Sequence, residues 1–527
     1  MKMKFDNIAF ERVFFYSCLG VGLLAIIVNP ANPTLDGPSH LYNSKLINYL
    51  LDGNQFISHY YALNRIPAPN LTDHYLLALL MTVFSWQLAE KILIVIYLLS
   101  FSLLFRKLLK QWSGANTVFS VFAIPFSFSS FYYLGFYNFC LSFPLLFGML
   151  IYYHKYFTGA GNRPTGSKYF ILFLLSTLLY FTNGLAFLFA GGSLFLLEMG
   201  FPTNIRPFLR GKTKWKRILL FFLVWLPGLL CFLAFMAMVH TNPTYKRIPL
   251  HDMFHWLNVI KTITYSASDE RYTRLIAYLV CIMMAVGIYN RVKKLGARKI
   301  VDYDFFLLLS AISLLCFILV PDDSIVGMMS FRFSYFFFIF IVLWAILLPN
   351  NKIISMLISM SVIAIYFTVL FKIHQPIISN LNKDLEAVEA AGKMINPNSV
   401  VLAKDYTNNW LLFHFADYLG INKPLVILEN YEADDGWFAA KWNNGHLPNV
   451  LINGHGPNFG YYNMTCEPSN EKKAIDYIFV YGDYKDTIQR PDAKVMRSIL
   501  SEEYKLIYTS ADSNIHVFSR QNSVISH

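Results

Sequence analysis

The chain has 527 residues, of which 55% are hydrophobic, 17% aromatic and only 14% charged, with a mean hydropathy of +0.42. A soluble domain carries about 25% charged residues, so this composition cannot cover a globule with polar surface, and disorder, a collagen-like fibre and a disulfide-stapled scaffold are excluded with it. The formal net charge of +12 is unevenly placed: residues 372–527 hold 14 bases and 18 acids, a net of −4, which leaves +16 for the first 371 residues. The basic excess therefore belongs to the apolar part, where it reads as a topology signal and excludes a nucleic-acid partner. Cys18, Cys140, Cys231, Cys281 and Cys316 lie in apolar runs, and Cys466 alone falls in the tail, which cannot close an internal disulfide.

In chain order, a span needs about 20 predominantly apolar residues. The first runs from Phe10 to Asn29 behind Lys2, Lys4 and Arg12, with no small-residue cleavage site after it, and reads as a retained anchor. Further spans are expected at 89–108, 115–133, 137–156, 168–182, 184–200, 217–239, 272–290, 303–320, 333–349 and 353–371, eleven in all. The segment Tyr75–Phe84 is too short to cross and is expected as an interfacial or re-entrant helix. The turn Thr182-Asn183-Gly184 between two of the spans is very tight. Bases concentrate in alternate loops, around Arg106/Lys107/Lys110, Lys155/Arg163/Lys168, Arg206–Arg217 and Arg291–Lys299. The positive-inside rule makes those loops cytoplasmic. Eleven spans then leave the N-terminus in the cytoplasm and the C-terminal region on the extracytoplasmic, periplasmic side of the cell membrane. The expected organisation is a transmembrane domain over 1–371, with a first outer loop at 30–88, and a soluble domain over 372–527.

The tail reads as α/β. Leu381–Met394 has helical spacing and is stopped by Asn396-Pro397-Asn398, and short buried strands follow at Ser399–Ala403, Pro424–Leu428 and Tyr477–Tyr481. Tyr504–Tyr508 and Asn514–Phe518 form a hairpin pattern, and an Asn/Gly-rich stretch at 443–460 reads as a long loop. No Walker, Rossmann, HExxH or nucleophile-elbow motif occurs.

Acids are scarce in the membrane half, so each one near an outer loop is informative. Asp36 stands just beyond the first span in Asn32-Pro33-Thr34-Leu35-Asp36-Gly37-Pro38-Ser39-His40, and a helix is expected from about Pro38 to Leu51, with His40 one turn past the carboxylate. An acid followed by Pro at a helix start suits an N-cap, a role compatible with service as a base. His251 and His255, at i and i+4, could share a zinc ion, but no third ligand is evident and the flanking Phe254, Trp256 and Leu257 suit an interfacial helix.

These first-loop residues resemble the GT-C superfamily of membrane glycosyltransferases, in particular the protein O-mannosyltransferases and the lipid A aminoarabinose transferases. The resemblance lies in the first span, Asp36, the Pro67-Ala68-Pro69-Asn70-Leu71-Thr72-Asp73-His74 stretch before an apolar helix, and the next span running into Arg106-Lys107-Leu108-Leu109-Lys110. It implies transfer of a sugar from a polyprenyl-phosphate-linked donor to a lipid, glycan or protein hydroxyl on the outer face of the membrane, with inversion. Asp36 matches the family's general base, with His40 beside it. Many members carry paired acids there; here the second position is Gly37, so no metal site is assigned, although a divalent cation remains compatible. Asp73 with His74 is a second acid–His pair, for which a capping role at the surface is the expected one. Asp322 and Asp323 mark another outer loop, followed by Arg332 in Met328-Met329-Ser330-Phe331-Arg332-Phe333, whose basic group resembles the family's phosphate contact. A polytopic transporter or lipid flippase is the alternative, and it would draw on an intramembrane acid such as Glu198.

Overall fold

The computed structural model describes residues 7–113, 117–158, 164–201, 212–238, 245–296, 299–323, 327–407, 409–435, 437–443, 475–483, 497 and 500–521. The chain is a predominantly helical, polytopic membrane protein with a C-terminal sheet region. Among the described residues, six helices are long and apolar enough to cross a membrane: Phe10–Ile27, Trp86–Trp112, Trp215–Met238, Ala267–Leu295, Met329–Leu347 and Lys352–Gly392. The other expected spans also fall on apolar helical segments. Gly166–Thr182, Gly184–Glu198 and Asp304–Leu319 have 17, 15 and 16 residues, at or below the shortest length that crosses a bilayer, ~17 residues. The first two are kept short by the tight turn, because Asn183 ends one helix and its side chain accepts from the Ala186 N–H to start the next, 3.0 Å away. The span expected at 115–133 is not one helix: a 3-10 turn at Thr117–Phe122 is followed by short helices at Ala123–Ser127 and Ser130–Tyr133. The helix begun at Lys352 passes the boundary expected after residue 371 without ending, through a π-helical turn at Leu370–His374 into Gln375–Gly392.

Two compact units emerge, one made of residues 1–29 and 94–377, the other of residues 30–93 and 378–527. The first is packed with aromatic rings and holds 40 of the chain's 48 Phe. Phe131 lies 4.6 Å from Phe331, Phe143 4.7 Å from Tyr335, and Phe189 stacks on Phe336 at 4.3 Å.

The second unit centres on a mixed five-stranded sheet. Its strands, with a separate ribbon, are β1 (Tyr61–Leu63), β2 (Ser399–Tyr406), β3 (Leu425–Ile427), β4 (Ala440–Trp442), β5 (Tyr477–Gly482), β6 (Tyr504–Thr509) and β7 (Ile515–Arg520). The sheet order is β3-β2-β5-β7-β6: the first three strands are parallel, and the last two form the expected antiparallel hairpin. β1 pairs with β4 as a short antiparallel ribbon, with Tyr61 stacked on Trp442 at 4.3 Å. The Asn/Gly-rich stretch at 443–460 lies, after its first residue, outside the described residues.

Helix Gly37–Leu51 runs across this unit. The Tyr42 hydroxyl donates to Leu425 O at 2.7 Å and accepts from Ile427 N at 3.2 Å, tying the helix to the edge strand. The Tyr42 ring lies so close to Gly420 that a Cβ there would collide with it. Gly420→Ala is expected to destabilise the protein by about 1–3 kcal/mol through overpacking. Thermal unfolding of the purified variant checks this, and an unchanged midpoint would contradict the packing described.

Candidate active site

The site is built on one face of helix Gly37–Leu51. Pro38 fixes the first turn. Asp36 occupies the N-cap position, but its side chain makes no cap bond; Thr34 Oγ1 instead accepts from the Gly37 N–H at 3.1 Å. The Asp36 carboxylate faces His414 Nε2 at 3.7 Å, with about one-seventh of the side chain exposed (14%). Burial, with His40 adding to it, pulls the His414 pKa down to about 3, so a neutral imidazole faces Asp36. One turn on, Ser39 donates to Asp417 at 2.5 Å, and two turns on, Asn43 and Asn430 exchange amide bonds of 2.9 and 3.0 Å. Residues 36, 39, 40 and 43 share a helical face, and here that face meets residues 414–432.

His40 points into a closed cluster with Asp73, His74 and Glu432. Asp73, His74 and Glu432 are fully buried and His40 is 5% exposed. His40 Nδ1 lies 2.9 Å from Asp73 Oδ2 and 3.4 Å from Glu432 Oε1. His74 is held at both nitrogens, Nδ1 at 2.7 Å from Asp73 Oδ1 and Nε2 at 2.8 Å from Glu432 Oε2. Burial opposes charge on both rings, but Asp73 and Glu432 outweigh it, raising the pKa of His40 and taking that of His74 to about 10. Burial likewise opposes the Asp73 carboxylate, and the two histidines overcome it, holding its pKa well below the usual range. The expected surface capping role for Asp73 and His74 is therefore corrected: helix Thr72–Leu80 turns both residues inward.

The same atoms fit a metal ion. His40, Asp73 and His74 offer donors that all lie within 4.8 Å of one another. A tetrahedral zinc ion with bonds of ~2.0–2.1 Å sets its donors ~3.3–3.4 Å apart. His40 Nδ1 lies 3.3 Å from His74 Nε2 and 3.4 Å from Glu432 Oε1, while the 2.9 Å from His40 Nδ1 to Asp73 Oδ2 and the 2.8 Å from His74 Nε2 to Glu432 Oε2 are hydrogen-bond spacings that an ion would open. A cation there would replace the ring protons that otherwise balance the two carboxylates.

Two further acids stand behind the helix. Burial, then the neighbouring Glu429, pushes the Asp417 carboxyl well above the ordinary range, which favours its protonated form. Burial also raises Glu429 to about 7. Asp417 Oδ1 and Glu429 Oε1 are sealed from solvent without a hydrogen-bond partner among the described residues. Glu429, Asn430 and Glu432 follow the C-terminal end of β3, the end of a parallel sheet where ligands bind.

The structure thus joins Asp36, His40, Asp73 and His74 in one unit and adds Glu432, Asp417, Glu429 and His414, none of which the sequence singled out. Asp322, Asp323 and Arg332 belong to the other unit. Asp322 Oδ1 accepts from Ser330 N at 2.9 Å at the start of helix Met329–Leu347, and Asp323 is exposed. The Arg332 guanidinium lies over the rings of Phe136 and Phe139 at 4.9 and 5.1 Å. His255 Nε2 meets Glu270 at 3.2 Å, while His251 is exposed beside Asp252. Glu198 is paired with Arg217 at 3.1 Å and with the Tyr153 hydroxyl.

Fold and site define an integral membrane protein that carries a buried acid–histidine centre. No protein-family model and no curated protein matches the sequence. Among solved structures, the chain is similar to ArnT from Cupriavidus metallidurans in the apo state, with a TM-score of 0.42, 9% identity, and coverage of 96% of this chain and 97% of that one. It is also similar to the same protein bound to undecaprenyl phosphate, with a TM-score of 0.40, 8% identity, and coverage of 97% and 98%. At these scores the likeness carries no chemistry across, and the site is read from its own geometry.

Glu429 binds its proton more tightly in the folded state, at about 7, than an unfolded glutamate does. It therefore costs stability as pH rises from the ordinary glutamate range to about 7, and the cost is complete above that. Glu429→Gln is expected to raise the thermal midpoint at pH 8 by more than at pH 5. Equal shifts at the two values would contradict the assignment.

Proposed function

We propose that this chain is an integral membrane glycosyltransferase that moves a sugar from a polyprenyl-phosphate-linked donor to an acceptor hydroxyl at the outer face of the membrane. The observation that carries the reading is Asp36: an acid at a helix start, relieved of capping by Thr34, partly open to solvent and faced by a neutral histidine. A carboxylate in that state can take the proton of an acceptor hydroxyl as its oxygen attacks the anomeric carbon. Attack from the face opposite the phosphate inverts the centre; the bond from the anomeric carbon to the phosphate oxygen breaks, and polyprenyl phosphate leaves with the electron pair. The charge that develops on that phosphate calls for a basic contact, the role for which the sequence singles out Arg332.

His40, Asp73 and His74 are the proposed ligands of a divalent cation, with the Glu432 carboxylate adjoining them, and the ion would supply a fixed positive centre locking the base of the Asp36 helix. His40 thereby acts as a positioning residue one turn from Asp36. The N-terminus is placed in the cytoplasm and the sheet-bearing unit outside, on the charge asymmetry of the loops.

Asp36→Asn is expected to lower transfer by about 10²–10⁴-fold with expression and membrane insertion intact. The assay follows labelled sugar leaving a polyprenyl-phosphate donor incubated with the purified protein, and wild-type turnover in the variant would remove Asp36 from the mechanism. Plasma mass spectrometry of purified protein loaded with zinc or manganese is expected to find one ion per chain, lost in His74→Ala. Equal metal content in wild type and variant would remove the cation from this cluster.

A further inference from the structure

The first unit carries a groove of about 520 Å³ that the proposed reaction does not use. Its walls come from one end of three helices: Ile288, Arg291 and Val292 close Glu270–Leu295, Leu308 and Ala311 open Asp304–Leu319, and Trp344 ends Met329–Leu347. The lining is mainly apolar, and several of these side chains are exposed, Ile288 by 40% and Val292 by 45%. At the polar end, Asp304 accepts from Arg291 Nη1 and Nη2 at 2.7 and 2.6 Å, from Trp344 Nε1 at 3.1 Å and from Val301 N at 2.9 Å. That carboxylate is saturated. Arg291 is not: Nη2 also donates to Lys299 O at 2.9 Å, and of its five N–H groups the Nε–H and one Nη1–H have no partner among the described residues. Lys293, Lys294 and Lys299 are exposed around it, so residues 291–304 as described carry four bases against Asp302 and Asp304.

We infer that this groove is a binding site for an anionic glycerophospholipid, with the phosphate on Arg291 and the adjoining lysines and an acyl chain along Ile288, Val292, Leu308 and Ala311. Three features on the same end of the same helices point to that occupant. An apolar trough on membrane-spanning helices accepts a chain. The Arg291 guanidinium, held in place by Asp304, keeps an N–H on each of its two outer edges, Nε–H and one Nη1–H, and each can donate singly to a phosphate oxygen. The surrounding excess of positive charge selects anionic over zwitterionic headgroups, as basic pockets between spanning helices do on the cytoplasmic side. The positive-inside rule puts this loop on that side, away from the outer face where the proposed donor's phosphate reacts, so the site is a separate one and stands or falls independently of the transfer reaction.

The test uses the full chain in nanodiscs containing equal amounts of phosphatidylglycerol and phosphatidylcholine with identical acyl chains, and reads by native mass spectrometry which lipids stay bound. Wild type is expected to retain the anionic lipid about fivefold over the zwitterionic one, the preference that a single basic contact confers. Arg291→Lys keeps the ion pair with Asp304 but loses the outward Nε–H and Nη1–H donors, and is expected to cut that preference severalfold. Ala311→Trp fills the trough from an exposed position and is expected to abolish retention of both lipids while leaving the fold intact. Absence of a preference in wild type, or a preference that survives both substitutions, would overturn the proposal. Displacement of the anionic phospholipid by an equimolar amount of undecaprenyl phosphate would overturn the assigned occupant in favour of a carrier lipid.

Discussion

Two imidazoles and two carboxylates buried together are the constraint on which the second unit depends. Sealing any one of these charges from water would be prohibitive alone, and removing one partner of a buried pair costs about 3–5 kcal/mol. His40, Asp73, His74 and Glu432 solve the problem mutually, each within 3.4 Å of an opposite partner. They arrive from three stretches of chain, with Glu432 lying 358 residues beyond His74. The cluster therefore works as a polar clasp that joins the stretch after the first span to the C-terminal sheet. A metal ion would tighten the same clasp by taking the place of the ring protons.

The consequence for chemistry is a division of labour along one helix. His40 and Asn43 anchor helix Gly37–Leu51 from within. Asp36, at its first turn, is thereby held at a fixed place, and its carboxylate makes no cap bond to the helix but faces His414. The carboxyl groups around the helix are set to different protonation states by their surroundings. The two histidines favour the ionised form of Asp73, while burial and Glu429 favour the protonated form of Asp417. The same fold thus pushes neighbouring acids in opposite directions.

Much of the helical part was legible in the sequence, because crossing a bilayer demands long apolar runs that no other constraint imitates. The Ser399–Ala403, Pro424–Leu428 and Tyr477–Tyr481 strands and the terminal hairpin were readable for a related reason: short apolar runs bounded by turn residues have few other homes. The β1–β4 ribbon was not, since three residues around Tyr61 and three around Trp442 carry no period that links them across the chain. Asp36 stands out in the sequence because an isolated acid after a first span is conspicuous. Asp73 and His74 were misplaced on the surface because Thr72-Asp73-His74 has the local look of a helix start, and the residue that buries them is remote in sequence. Glu432 sits in Tyr431-Glu432-Ala433-Asp434-Asp435, which reads as a solvated acidic run. Only its place just after the end of a parallel strand hinted otherwise.

The central claim is that Asp36 is held at the start of its helix to meet a lipid-linked sugar. A cryo-electron microscopy structure of the full chain with a non-transferable polyprenyl-phosphate sugar analogue measures this directly. The account predicts the Asp36 carboxylate within hydrogen-bond reach, or one water, of the site beside the anomeric carbon where an acceptor hydroxyl would enter. An analogue bound with its sugar remote from Asp36, and with the carboxylate still turned to His414, would contradict it.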